Sequence, residues 1–108
     1  MTPAERWTQA TGLVPTAEVI REDYLACYND QYEACSDPGV IHLLPDATDG
    51  VELHELGHQF SRRHLTTGQS GVMVAEKNNA SWRECITLYD LDLICSEADC
   101  LWQKPECK

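Results

Sequence analysis

Apolar and polar positions fall into short blocks along the chain, each with its own period. The first block, TPAERWTQATG, places Thr2 at a helix N-cap, Pro3 at the first helical position and Glu5 three residues after the cap. A Thr and a Glu so spaced satisfy each other's end groups, and proline fits the first turn because its missing N–H has no partner there. Gly12 can close the last turn in a left-handed conformation. The pattern predicts a short helix with Trp7 on its buried side. Residues 13–35 read both ways: Val19, Ile20, Tyr24, Cys27 and Tyr28 suit helical spacing, while the β-branched and aromatic content suits strands. SDPG is a turn, VIHLL (Val40 to Leu44) a short strand ended by Pro45, and DATDG a second turn.

A central helix follows, with Asp49 predicted as its N-cap and Glu52 at the capping-box offset. Val51, Leu53, Leu56 and Phe60 give it apolar coverage. Residues 65–80 lack periodicity and read as a loop. Ser81 with Glu84 has the same capping pattern, which predicts a helix running to about Ile94 with Ile86, Tyr89 and Leu93 as its core stripe. The tail, SEADCLWQKPECK, reads as irregular. These elements predict one α+β domain over residues 1–108, with a small mixed sheet and a C-terminal helix.

Composition narrows the class. A core built from 108 residues leaves a thin stability margin, so staples are expected. The six cysteines (Cys27, Cys35, Cys85, Cys95, Cys100 and Cys107) supply them as about three disulfides, which places the chain in an oxidising compartment, extracellular or periplasmic. No C-x-x-C pair occurs to support a cysteine zinc site. CYNDQYEAC is a short loop with a polar turn in its middle, so Cys27–Cys35 is the expected first bridge. The formal charge of −10, without a basic patch, excludes nucleic acid as a partner and disfavours an anionic membrane. No stretch is apolar enough to span a bilayer and no signal-peptide core opens the chain, so any export signal would already have been removed. A secreted monomer is the expectation.

The chemistry gathers in VELHELGHQFSRRHLTTGQSGVMV, which holds three of the four histidines. In HELGH, His54 and His58 lie one helical turn apart and project about 40° from each other, so two imidazoles can share one metal ion. Glu55 points to one side and suits a water beside the ion better than ligation. A catalytic zinc needs a third protein ligand and an open fourth position, and His64 offers the third if the chain turns near residue 61. Glu76 and Glu84 are alternative third ligands, as in a different peptidase clan.

The spacing H-E-x-x-H-x-x-x-x-x-H resembles the metzincin zinc peptidases, and ERWTQATG is weakly similar to the first helix of their bacterial members. The resemblance implies a minimal metzincin-like catalytic domain, trimmed and compensated by its cysteines. It implies a Zn2+ cofactor held by His54, His58 and His64, Glu55 as general base, and Met73 of SGVMV in a turn beneath the zinc histidines. It implies that Val40, Ile41, His42 and Leu43 form an edge strand along the cleft, with Val74 and Ala75 near the pocket beyond the scissile bond. The family's usual glycine three residues after the second histidine is Ser61 here; in a left-handed conformation serine would cost about 1 kcal/mol relative to glycine. The family's accessory tyrosine has no counterpart at Ala75. The implied function is endopeptidase cleavage of a protein or peptide. The competing class is a non-catalytic, disulfide-stapled module that holds zinc for structure or binds a partner.

Overall fold

A computed structural model describes residues 1–23, 34–37 and 39–107. Helix α1 spans Pro3–Thr11 and is closed at both ends as its sequence dictates. The Thr2 hydroxyl accepts from the Glu5 N–H, the Glu5 carboxylate accepts from the Thr2 N–H, and Gly12 turns left-handed at φ 77°. The ambiguous stretch resolves partly into strands: β1 is Glu18–Arg21 and β2 is Ala34–Asp37. With β3, Val40–Leu43, they form a sheet of order β1-β3-β2 in which β1 is parallel and β2 antiparallel to β3.

That order corrects one expectation. Val40 to Leu43 is the central strand, hydrogen-bonded on both sides, and β2 is the antiparallel edge. Strand order depends on pairing between distant segments, which period-2 patterning does not encode. Ile41 and Leu43 face the core, while Val40 and His42 are only partly buried.

Helix α2 spans Asp49–Gly57. Its N-cap is Thr48, whose hydroxyl accepts from Val51 N–H, so the predicted cap at Asp49 is displaced by one residue. Both residues can cap; the start falls where Thr48 keeps extended dihedrals (φ −76°, ψ 166°). Val51, Leu53 and Leu56 are buried as the pattern implied, and Phe60 is half-buried. Trp7 ties α1 to α2 by donating its indole N–H to the Leu53 carbonyl at 2.8 Å.

The last helix, α3, is Leu88–Glu97, not the segment starting at Ser81. Its start is set by a capping box between Thr87 and Asp90. The carboxylate of Glu84 is turned elsewhere: it accepts from Gly50 N–H, the Thr48 hydroxyl and the Trp82 indole. The buried face of α3 is accordingly Asp90, Leu91 and Ile94, and Tyr89 is exposed. Ile86 is fully buried, but ahead of the helix.

Among the described residues, disulfides join Cys85 to Cys107 and Cys95 to Cys100. Cys35 is also disulfide-bonded; its expected partner Cys27 lies outside the described residues. The tail crosses back over α1, with Leu101 N–H donating to Thr11 and Lys104 N–H to Ala10, and it ends on the Arg6–Glu106 ion pair at 2.7 Å. No helix among the described residues is long and apolar enough to cross a membrane. Stable disulfides point to an oxidising environment.

Candidate metal centre

Helix α2 carries His54 and His58 one turn apart, and His58 keeps helical dihedrals as the C-cap residue (φ −67°, ψ −12°). The helix then tightens: Gln59 and Phe60 donate three residues back, to Leu56 and Gly57, and Ser61 N–H donates to Gly57. The chain reverses through these short-range bonds, and the Ser61 hydroxyl accepts from Arg63 N–H at 3.3 Å. No non-glycine residue among those described has a positive φ, so Ser61 carries no left-handed strain.

His64 is fixed from both sides. Leu65 N–H donates to the Met73 carbonyl at 3.0 Å. On the other side the Arg63 guanidinium reaches Glu97 at 3.4 Å and the Ser96 hydroxyl at 3.2 Å, both on α3. The outcome is a group in which His54, His58 and His64 each offer a ligand nitrogen, all within 4.8 Å of one another. The His64 ring stacks on His54 at 5.2 Å and meets His58 edge-on at 4.9 Å.

The tautomers follow from hydrogen bonding. His54 Nδ1 lies 2.7 Å from the Val72 carbonyl, and His58 Nδ1 lies 2.9 Å from the Ser61 carbonyl. A carbonyl only accepts, so each Nδ1 holds the proton and each Nε2 keeps its lone pair. Those two Nε2 atoms face each other at 3.1 Å. Two lone pairs at that distance repel unless a cation sits beside both. Zinc–nitrogen bonds of about 2.0–2.1 Å in a tetrahedral site would set nitrogens about 3.3 Å apart, so the His54–His58 pair fits such an ion, with the His64 nitrogen within 4.8 Å of both. Burial, chiefly, lowers the pKa of all three imidazoles, that of His54 to about 3, so the group is neutral and ready to ligate at neutral pH.

The segment beneath α2 is held by Asp90. Its carboxylate, fully buried, accepts from Val72, Met73 and Thr87 N–H groups at 2.8–2.9 Å. Burial outweighs these bonds and leaves its pKa above the ordinary value. The Val72 peptide is thereby gripped at its N–H by Asp90 while its carbonyl orients His54, a relay of the kind that tunes metal ligands. The Met73 side chain is fully buried against Gly57, between the two helical histidines. A Cβ at residue 57 would stand 2.6 Å from Met73 Sδ and 3.1 Å from Trp7 Cζ2. Gly57→Ala is therefore expected to destabilise the fold by about 1–2 kcal/mol despite alanine's better helix propensity, read as a lowered midpoint in thermal unfolding.

A cavity of about 700 Å³ opens beside the histidines, lined among others by Ile41, Glu55, His58, Arg62 and His64. Glu55 lies in it with its carboxylate 3.9 Å from His54 Nε2, and burial pushes its pKa up to about 7. A cation bound by the histidines would draw that value back down. Of the other residues predicted for the cleft, Leu43 is sealed in the core and His42 contacts the Glu22 carboxylate. Val40 is half-buried, Val74 is buried and Ala75 is exposed, and none of the three lines this cavity.

No known protein family, curated protein or solved structure matches this chain. The site therefore rests on its own atoms. Of the alternative ligands, Glu84 is engaged by Gly50, Thr48 and Trp82, and Glu76 is exposed and outside the histidine group. Sequence reasoning missed Asp90, Arg62 and Trp82, whose ring lies 5.8 Å from that of His54. The one readable signal was T-x-x-D at Thr87–Asp90, a capping pattern overshadowed by Ser81–Glu84.

Proposed function

We propose that this protein is a zinc-dependent endopeptidase of the secreted or periplasmic space, built on a minimal metzincin-like plan. The observation that carries the reading is the pair of Nε2 lone pairs facing each other at 3.1 Å, with both Nδ1 atoms committed to carbonyls. His54, His58 and His64 would hold the ion, and a bound zinc supplies Lewis acidity, lowering the pKa of water to about 7 and polarising a carbonyl.

The residues of the chain perform the rest. Glu55, in the cavity beside His54, accepts the proton of the attacking water and returns it to the departing amine. The Val72 and Ser61 carbonyls hold the imidazoles in the tautomer and orientation that ligation requires. Ile41 gives the cavity an apolar wall against an extended chain.

A structural zinc site is closed by a fourth protein ligand. The histidine group contributes three among the described residues, which favours catalysis over a purely structural ion. The test is metal content with an activity assay. The protein is expected to carry one zinc per chain and to cleave an unfolded substrate such as casein. A chelator should abolish cleavage, and added zinc should restore it. Zinc at one per chain without cleavage would leave the non-catalytic module as the better reading; no metal at all would overturn the peptidase and the structural-zinc readings and leave only a partner-binding module.

A further inference from the structure

We infer that Arg62 recognises a carboxylate on the substrate, so that the cleaved peptide carries an acidic side chain or a free C-terminus within about two residues of the scissile bond. The inference rests on the peptidase reading, but carboxylate binding by Arg62 does not need turnover.

The chain has 18 acidic residues against 8 Lys and Arg, so a cation has many anions to pair with. Most of the arginines do find partners. Arg6 pairs with Glu106 at 2.7 Å, Arg21 with Glu52 at 3.2 Å and Arg63 with Glu97 at 3.4 Å, while Arg83 donates to the carbonyls of Ala80 and Trp82. Arg62 makes no hydrogen bond or ion pair with any described residue. It is exposed, yet it lines the cavity together with Glu55, His58 and His64.

Its neighbours leave it for a ligand. Among the described residues lining the cavity the acids are Glu55, directed to the histidines, and Glu97, already held by Arg63. Arg62 is the one lysine or arginine among the described residues lining that cavity. Adjacent positions on a turn diverge, so Arg63 anchors the bend to α3 while Arg62 faces the cleft. A guanidinium presents a planar fork of donors matched to the two oxygens of a carboxylate, and it stays charged at every physiological pH. The strongly negative surface otherwise repels acidic peptides, so a local cation gives selectivity where it lines the cleft.

The experiment uses peptides that differ only at one position, Glu, Gln or Lys, scanned over two residues on each side of the cleaved bond. A further pair differs only in a C-terminal acid or amide, which separates a side-chain source from a terminal one. For the wild type, the best-placed carboxylate is expected to raise kcat/KM about fivefold to tenfold over its neutral partner, the modest scale suited to a partly solvated ion pair. Arg62→Gln should bring that ratio close to one, Arg62→Lys should give an intermediate ratio, and Arg62→Glu should make Lys the preferred residue. A wild-type ratio near one, or a ratio that survives in Arg62→Gln, overturns the inference.

The same peptides titrated calorimetrically into zinc-loaded Glu55→Gln protein separate the two readings. If the wild type cleaves none of them but the carboxylate preference in binding persists and depends on Arg62, the carboxylate site stands and the peptidase reading falls. If nothing is cleaved and the Glu and Gln peptides bind equally, both fall.

Discussion

Glu55→Gln is expected to lower kcat/KM on an unfolded protein substrate by about a thousandfold or more while zinc content stays at one per chain. Gln keeps the shape of the side chain and loses the ability to take a proton, and general acid–base groups contribute about 10²–10⁴ in rate. The His54 and His58 imidazoles are untouched by the change, since their Nδ1 atoms are fixed by the Val72 and Ser61 carbonyls and not by Glu55. Replacing a buried carboxyl whose pKa is raised by desolvation with a neutral amide removes a desolvation penalty, so the fold should not suffer. Lost activity can then be assigned to chemistry and not to unfolding. Zinc content and turnover measured on the same sample decide it. A variant that keeps a tenth of the wild-type rate would remove Glu55 from its role.

The second large effect falls on stability. Asp90→Ala is expected to cost about 3–5 kcal/mol, out of a total that for domains of this kind is about 5–15 kcal/mol. The carboxylate satisfies the N–H groups of Val72, Met73 and Thr87 in a fully buried setting, and Gly71 lies so close that its Cβ position falls 2.4 Å from the Asp90 oxygens. Alanine would leave three buried donors unpaired and a gap under the turn. Thermal unfolding should shift down by about 15–20 °C. The metal should also bind more weakly, by about 10–100-fold, because the Val72 carbonyl would no longer be held against His54. Asp90→Asn, with one acceptor oxygen left, should fall between. A midpoint within about 3 °C of the wild type for Asp90→Ala would show that water or local rearrangement replaces the carboxylate, and the proposed relay to His54 would lose its anchor.

What could be read in advance was what local geometry controls. The cap of α1 depends on residues three apart, and Thr2, Pro3, Glu5 and Gly12 act as their sequence implies. The histidine pair depends on helical periodicity, and the structure brings His54, His58 and His64 together. The errors arise where a distant segment competes. Glu84 looked like the third residue of a capping box, but its carboxylate is turned to Gly50, 34 residues away in sequence, so α3 begins at the next available cap. The resemblance implied an edge strand at Val40–Leu43, but β1 and β2 bracket it, and strand order depends on pairing that no short pattern carries. The carbonyls that orient the histidines differ in the same way. That of Ser61 is local to His58, whereas that of Val72 reaches His54 across 18 residues and depends on Asp90.

The reversal after α2 is built from three- and four-residue backbone bonds without any positive-φ residue, so position 61 is free of the demand for glycine. Selection at that site can act on side-chain chemistry, here a hydroxyl that caps the next turn. Search patterns that insist on glycine at that step of the motif would pass over chains whose bend is made this way, however well their three imidazoles converge.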